Sequence, residues 1–218
     1  MSKGITFTDE LRDYLVDHSM PPTAEHEAIA AATLEAVPEW SIMQIPPEQG
    51  SLLTLLVRLT DTRLAVEVGT FTGYSALSIA RGLPDDGRLI CCDVSDEFTA
   101  VGRPHWAAAG VADRIDLRIA PAAQTLAAMP AEPHVDFAFI DADKPGYIEY
   151  FELLVPRMRA NGLLVVDNVL YSGAVLDDTD TDANVVAIRA FNDHVMGDDR
   201  VDVSMINVAD GLSLIRVR

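Results

Sequence analysis

The run Arg63-Leu64-Ala65-Val66-Glu67-Val68-Gly69-Thr70-Phe71-Thr72-Gly73-Tyr74-Ser75 constrains what this chain can fold into more than any other stretch. Residues 64–68 are mostly apolar, the pattern of a strand buried on both faces. Gly69 and Gly73 follow, and then the helix-like run 76–80. Strand, glycine turn and helix in that order bring a nucleotide-like ligand to the carboxyl edge of a parallel sheet. Gly69 lets backbone approach the ligand, and Gly73 permits close helix packing. A dinucleotide fingerprint would read G-x-G-x-x-G. Here the spacing is G-x-x-x-G, with Glu67 two residues before the first glycine. The missing glycine weakens the case for pyrophosphate. The acid would repel phosphate and suits a ligand carrying a positive amino group.

From residue 64 onward, strands and helices alternate. Strands are predicted at 64–68, 88–93, 114–119, 135–140 and 162–167, with helices between them near 74–82, 96–109, 122–129 and 145–157. That alternation means βαβ units and a parallel sheet. The pattern changes at the end: 201–208 and 212–217 read as strands joined by Ala209-Asp210-Gly211, a turn short enough only for an antiparallel hairpin. Upstream, 9–18, 23–37 and 48–59 read as helices, with 40–47 as a loop. A helical layer, 1–60, therefore precedes a Rossmann-like core, 61–218, and no domain boundary interrupts the 218 residues. A hydrophobic fraction of 49% is enough for one α/β domain with a sizeable core. The acidic run 177–182 leads into a helix at 183–196 and is too short and glycine-poor for a calcium loop.

A net charge of −18 and the absence of Lys/Arg clusters speak against nucleic acid and anionic membranes as partners. Cys91 and Cys92 are adjacent on a strand, so they point to opposite faces and are not expected to pair. Together with a polar, charged start over residues 1–14, this points to a reducing cytoplasm. The five histidines show no clustered spacing, so no zinc site is expected.

Ligands of open parallel sheets lie beyond the strands' carboxyl ends. Four of the five parallel strands end in an acid: Glu67, Asp93, Asp141 and Asp167. Asp93, 26 residues after Glu67, suits ribose hydroxyls, because a carboxylate accepts two hydrogen bonds at once. Asp141 with Asp167-Asn168 supplies hard oxygen ligands from neighbouring strands, the donor set of a cation such as Mg²⁺. Lys144, three residues after Asp141, falls near the same point and suits a general base. Each has a plainer explanation alone: Asp143 before Pro145 fits a helix N-cap, and Asp167-Asn168 fits a turn. Acids at four strand ends are hard to ascribe to capping.

At this point the chain resembles the cation-dependent class I O-methyltransferases, the group containing the caffeoyl-CoA and catechol O-methyltransferases, and within it the small bacterial type. The resemblance runs from residue 41 to 218 and rests on VEVGTFTGYSAL, CDVS, GVADRIDL, FIDADKPGY, NGLLVVDNVL and ADGL, the separation of IDADK from VDN being its most specific part. It implies a seven-stranded, doubly wound sheet and a homodimer. It implies S-adenosylmethionine as cofactor, its methionine moiety held by Glu67, Gly69, Thr70 and Ser75, its ribose by Asp93 and its adenine by Ala122, with Met43 and Ile45 closing over it. Asp141, Asp167 and Asn168 would bind the divalent cation, Asp141 also bordering the cofactor and acting with Lys144, the base. The reaction implied is methylation of one hydroxyl of a small ortho-dihydroxy aromatic. Tyr171-Ser172 stands where plant enzymes carry Trp-Asn, which argues against a coenzyme A ester, and Ala120-Pro121-Ala122 replaces the usual Gly-Pro-Ala. Residues 1–40 match least and are expected to shape the acceptor pocket. A nicotinamide-dependent oxidoreductase on a related fold, and a non-catalytic binder of S-adenosylmethionine, remain the alternatives.

Overall fold

The computed structural model describes residues 8–218; the first seven residues of the polar start lie outside it. Seven strands, β1 (Leu64–Val68), β2 (Arg88–Asp93), β3 (Ile115–Ile119), β4 (Val135–Ile140), β5 (Met158–Asp167), β6 (Val201–Ile206) and β7 (Leu212–Val217), form one sheet in the order β3-β2-β1-β4-β5-β7-β6. The first five are parallel, and β7 runs antiparallel to both β5 and β6. The order reverses at β1, so the carboxyl ends of β1 and β4 border the crevice where such sheets take ligands.

Alternation along the strands divides the core between two faces. Val66, Val68, Ile90, Cys92, Ala138, Ile140, Leu164 and Val166 pack with α6 (Ala122–Ala128), α7 (Tyr147–Leu154) and α8 (Ala183–Met196). Ala65, Leu89, Cys91, Phe137, Phe139 and Val165 pack with α2 (Ala24–Ala36), α3 (Pro47–Leu59), α4 (Tyr74–Gly82) and α5 (Asp96–Ala108). The two cysteines are free, buried and on opposite faces, as their adjacency requires. Burying each large side chain contributes roughly 1.5–3 kcal/mol. Helix starts follow local chemistry: Ser95 Oγ accepts from Phe98 N (3.0 Å) at α5, and Asp182 caps α8 through Asn184 N (2.9 Å).

Several expectations are corrected. The stretch read as one helix over 145–157 is α7 flanked by two 3₁₀ turns, Lys144–Gly146 and Val155–Arg157, each holding a proline that cannot donate an i−4 hydrogen bond. The loop read over 40–47 begins as a 3₁₀ helix, Pro38–Met43. β5 starts at Met158, four residues early, through a register shift against β4 between Val135 and Phe137. The helix α1 (Asp9–Asp17) buries no residue, whereas α2 is fastened to the glycine turn, Thr33 Oγ1 donating to Thr72 Oγ1 (2.8 Å) and His26 Nε2 lying 3.1 Å from Ser78 Oγ. Among the described residues no helix is long and apolar enough to cross a membrane.

At the opposite edge, Asp136 ties three strands together. Its Oδ2 accepts from Arg63 N and Leu64 N, both at 2.9 Å, and its Oδ1 from Arg159 Nη1 at 2.8 Å. Asp136→Ala leaves two backbone N–H groups without their acceptor and is expected to cost about 2–3 kcal/mol. Urea unfolding checks this: the midpoint falls with an unchanged m value, and a loss below about 0.5 kcal/mol would refute the role.

Candidate active site

Gly69 has φ +88°, and a Cβ there would lie 1.9 Å from the Asp141 carbonyl oxygen. The close approach that demands glycine is therefore between two backbone turns, those after β1 and β4, rather than backbone to ligand alone. Gly73, also at φ +88°, opens α4, and a Cβ there would meet the Trp106 ring at 2.5 Å. Trp106 Nε1 donates to Gly73 O (3.0 Å), which locks α5 against the turn as the sequence predicts. Asp93 braces the same turn: its Oδ2 accepts from Thr70 N (2.9 Å) and Phe71 N (2.8 Å), and its Oδ1 from Ser95 N (2.8 Å).

Beyond this edge opens a cavity of about 610 Å³, walled by the segments around residues 42–46, 69–75, 141–144, 167–171 and 209–210. Of the twelve residues singled out from sequence, nine line it: Met43, Ile45, Gly69, Thr70, Ser75, Asp141, Lys144, Asp167 and Asn168. Three do not. Asp93 has its oxygens turned to backbone. Ala122 is packed in the core at the start of α6. Glu67 lies fully buried, with the lining residues Thr70 and Ser75 beside it. Residues 8–40 supply none of the lining, and residues 1–7 of the stretch expected to shape the acceptor pocket lie outside the described residues; Ile42, Met43 and Ile45 line the wall.

Glu67 is the most unusual group in the strand edge. Neither carboxyl oxygen has a hydrogen-bond partner, and neither does Thr70 Oγ1. Burial pushes its carboxyl up to about 7, opposed by Ser75, Thr70 and Cys91 and assisted by the Asp93 charge. A buried acid whose neighbouring donors, Ser75, Thr70 and Cys91, make no well-formed hydrogen bond to it is costly and leaves a place for a further donor. An ammonium group, such as the amino end of S-adenosylmethionine, fits that requirement.

The second cluster joins β4 and β5. Lys144, 12% exposed, donates to Asp141 Oδ1 (3.1 Å), Tyr147 Oη (2.7 Å) and Asn168 Oδ1 (2.7 Å). Tyr147 passes the chain on, its hydroxyl donating to Asp167 O (3.1 Å). Asp167 Oδ1 accepts from Asn168 N (2.6 Å), and its Oδ2 from Gln49 Nε2 (2.6 Å). Burial and the Asp141 charge raise the Asp167 carboxyl to about 7. Burial also raises Asp141, against the pull of Lys144. Two carboxyls, Asp167 buried and Asp141 one-fifth exposed, and an amide oxygen are all hard donors and fit a divalent cation, which would relieve the repulsion between the acids. Asp143 does not cap by its side chain; its Oδ1 accepts from Tyr150 Oη (2.6 Å).

Sequence reasoning missed Gln49, Tyr147 and Asp210. Gln49 left a signal: it shares the buried face of α3 with Leu53 and Val57 at four-residue steps, where a polar side chain needs a reason. Tyr147 and Asp210 stood in recognised motifs but carried no assigned role. A separate group of possible ligands, Glu152, His194 and Asp198, lies toward the surface. Arg200 already fills it, donating to Glu152 (2.8 Å) and Asp198 (2.5 Å).

A family model for O-methyltransferases matches residues 18–218. The chain belongs to the O-methyltransferase family. A relative named "Probable caffeoyl-CoA O-methyltransferase 2", from Dictyostelium discoideum, is 39% identical over 215 residues, which cover 97% of this chain and 93% of the relative. The crystal structure of the O-methyltransferase TomG from Streptomyces achromogenes, in complex with S-adenosylmethionine, superposes with a TM-score of 0.88 at 32% identity and covers 95% of this chain and 96% of that one. A Bacillus cereus O-methyltransferase bound to S-adenosylhomocysteine gives 0.86 at 29%, covering 96% and 97%. This O-methyltransferase is thus an enzyme of the caffeoyl-CoA type that uses S-adenosylmethionine, on the Rossmann-like sheet the sequence predicts. The nicotinamide and non-catalytic alternatives are set aside.

The Glu67 carboxyl makes a pH prediction. Its value rises from 4.5 to about 7 in the folded state, so the folded state holds a proton that the unfolded state has lost. Stability is therefore full below about 4.5 and falls as pH rises through about 7, by about 3 kcal/mol for this group alone. Unliganded Glu67→Gln is expected to lose less stability than the parent between pH 5 and pH 8 in urea titrations. Identical losses would contradict the assignment.

Proposed function

We propose that the enzyme transfers the methyl group of S-adenosylmethionine to one hydroxyl of a small ortho-dihydroxy aromatic, with a divalent cation, Mg²⁺ by the hardness of its ligands, held by Asp141, Asp167 and Asn168. The observation that carries this reading is the meeting of Asp141 and Asn168 on one point, at Lys144 Nζ, beside the raised carboxyl of Asp167. When bound, the cation supplies Lewis-acid stabilisation of negative charge on phenolic oxygen and an anchor for both hydroxyls.

The chain's residues do the rest. Among the described residues, Lys144 is the only basic side chain on the cavity wall. In its neutral form its Nζ takes the proton of the reacting hydroxyl, while Tyr147 Oη and Asn168 Oδ1 hold that nitrogen in place. The Tyr147 phenol is itself fully buried and pushed well above its ordinary range by that burial, so it stays a neutral hydroxyl and does not compete as a base. Glu67, Thr70 and Ser75 receive the amino-acid end of the cofactor, and the turn braced by Asp93 fixes the direction in which the methyl is presented. Met43 and Ile45, with Ile42 and Phe71, belong to the apolar part of the wall that would exclude water. An uncharged or small catechol suits a wall with four aspartates and one lysine better than a polyanionic ester does.

Two measurements test this. Exhaustive chelation with EDTA is expected to abolish turnover of a catechol, with Mg²⁺ or Mn²⁺ restoring it; full activity in metal-free buffer rejects the cation. Lys144→Ala is expected to lower kcat at least about 100-fold while calorimetry finds the S-adenosylmethionine affinity nearly unchanged. A collapse of cofactor binding instead would make Lys144 structural.

A further inference from the structure

Asn168 holds the tip of β5 at φ +58°, and its amide can turn either end toward Lys144. Only the oxygen end can accept from the lysine or serve a cation, since the amide nitrogen is a donor alone. One end is fixed by Lys144, which donates to Oδ1 at 2.7 Å. The other end faces Asp210, whose Oδ2 lies 3.5 Å from Asn168 Nδ2. Asp210 is itself held, its Oδ1 accepting from Ser172 N at 2.5 Å.

The turn that carries Asp210 is clamped to the segment after β5. Leu170 N donates to Asp210 O (3.1 Å) and Val169 N to Gly211 O (3.2 Å). A Cβ on Gly211, at φ +85°, would strike Leu170 Cγ at 2.4 Å. Asp210 lines the cavity and is in no ion pair among the described residues, so its carboxylate is free to receive the amide nitrogen. An inverted Asn168 amide would set oxygen against that carboxylate and nitrogen against the lysine ammonium, a mismatch at both ends.

We propose that Asp210 is a positioning residue that selects which end of the Asn168 amide faces the catalytic centre, and through it sets the affinity for the divalent cation. This rests on the reading of Asn168 as a cation ligand. Asparagine at position 210 is the informative substitution. Its single oxygen can serve Ser172 N or the Asn168 amide but not both. The shorter Ser172 bond keeps the oxygen, and an NH₂ then confronts Asn168 and favours the inverted amide. Alanine removes the charge and leaves the amide free.

The experiment is Mn²⁺ binding by electron paramagnetic resonance to the full chain and its Asp210→Asn, Asp210→Ala and Asn168→Ala variants, with S-adenosylmethionine calorimetry and melting curves alongside. Asp210→Asn is expected to weaken Mn²⁺ binding about 30-fold, within the range found for partners of metal ligands, and Asp210→Ala less. Cofactor affinity stays within about 2-fold for both, because neither side chain touches the glycine turn. Equal weakening in the two variants would mean that charge alone acts, and a weaker Asp210→Ala would mean that Asp210 only anchors Ser172; either result overturns the proposal, as does unchanged binding. Undiminished Mn²⁺ binding by Asn168→Ala removes the cation reading and the proposal together. Loss in Asn168→Ala without loss in Asp210→Asn removes the proposal alone.

Discussion

Asp167, buried, and Asp141, one-fifth exposed, set two carboxyl groups of like sign at the ends of adjacent strands, and the site is arranged around that costly placement. Desolvation disfavours the charge on each; the Asp141 charge adds to the cost at Asp167, and the Asp210 charge to that at Asp141. A protein keeps such a pair where something else compensates it. Here the compensation is Lys144 with its three acceptors, Gln49 reaching in from α3 and the backbone N–H of Asn168. Gln49 and Asp167 are 118 residues apart in sequence, so the N-terminal helical layer and the end of β5 form one unit at this point.

The edge is built by backbone as much as by side chains. The turns after β1 and β4 touch so closely that only glycine fits at Gly69. Asp93, at the end of β2, holds the first of these turns through two N–H groups. Among the described residues, four of the seven non-glycine residues with positive φ, Phe71, Asn168, Tyr171 and Ala209, line the cavity. Conformations of that kind cost free energy and persist where surrounding structure enforces them, which is characteristic of working sites. On the proposed reading the two clusters divide the labour: Glu67, under the glycine turn, would serve the cofactor's charged end, and the Asp141–Asp167–Lys144 group the acceptor.

Much of this was legible in the residues. The alternation of apolar runs and amphipathic segments from Leu64 gives the parallel sheet, and the three-residue link Ala209-Asp210-Gly211 gives the antiparallel end. Strand-end acids pointed to the site because residues at strand ends share an edge whatever their separation in sequence. What sequence could not reach was orientation. Asp93 was expected to face a ribose; the backbone N–H groups of Thr70, Phe71 and Ser95 that its oxygens also serve could not be foreseen. Glu67 was identified by position, but its lack of any partner is visible only in three dimensions. The contact of Gln49 with Asp167 depends on how α3 crosses the sheet. The early start of β5 depends on a register shift that no periodicity announces.

The measurement that bears most directly on the central claim is anomalous diffraction at the manganese edge, from crystals grown with Mn²⁺ and S-adenosylhomocysteine. One strong peak is expected, with oxygen ligands from Asp141, Asp167 and Asn168 and with Lys144 beside it. A peak elsewhere, such as at Glu152, His194 and Asp198, or no ordered ion with those three side chains pointing apart, would contradict the account.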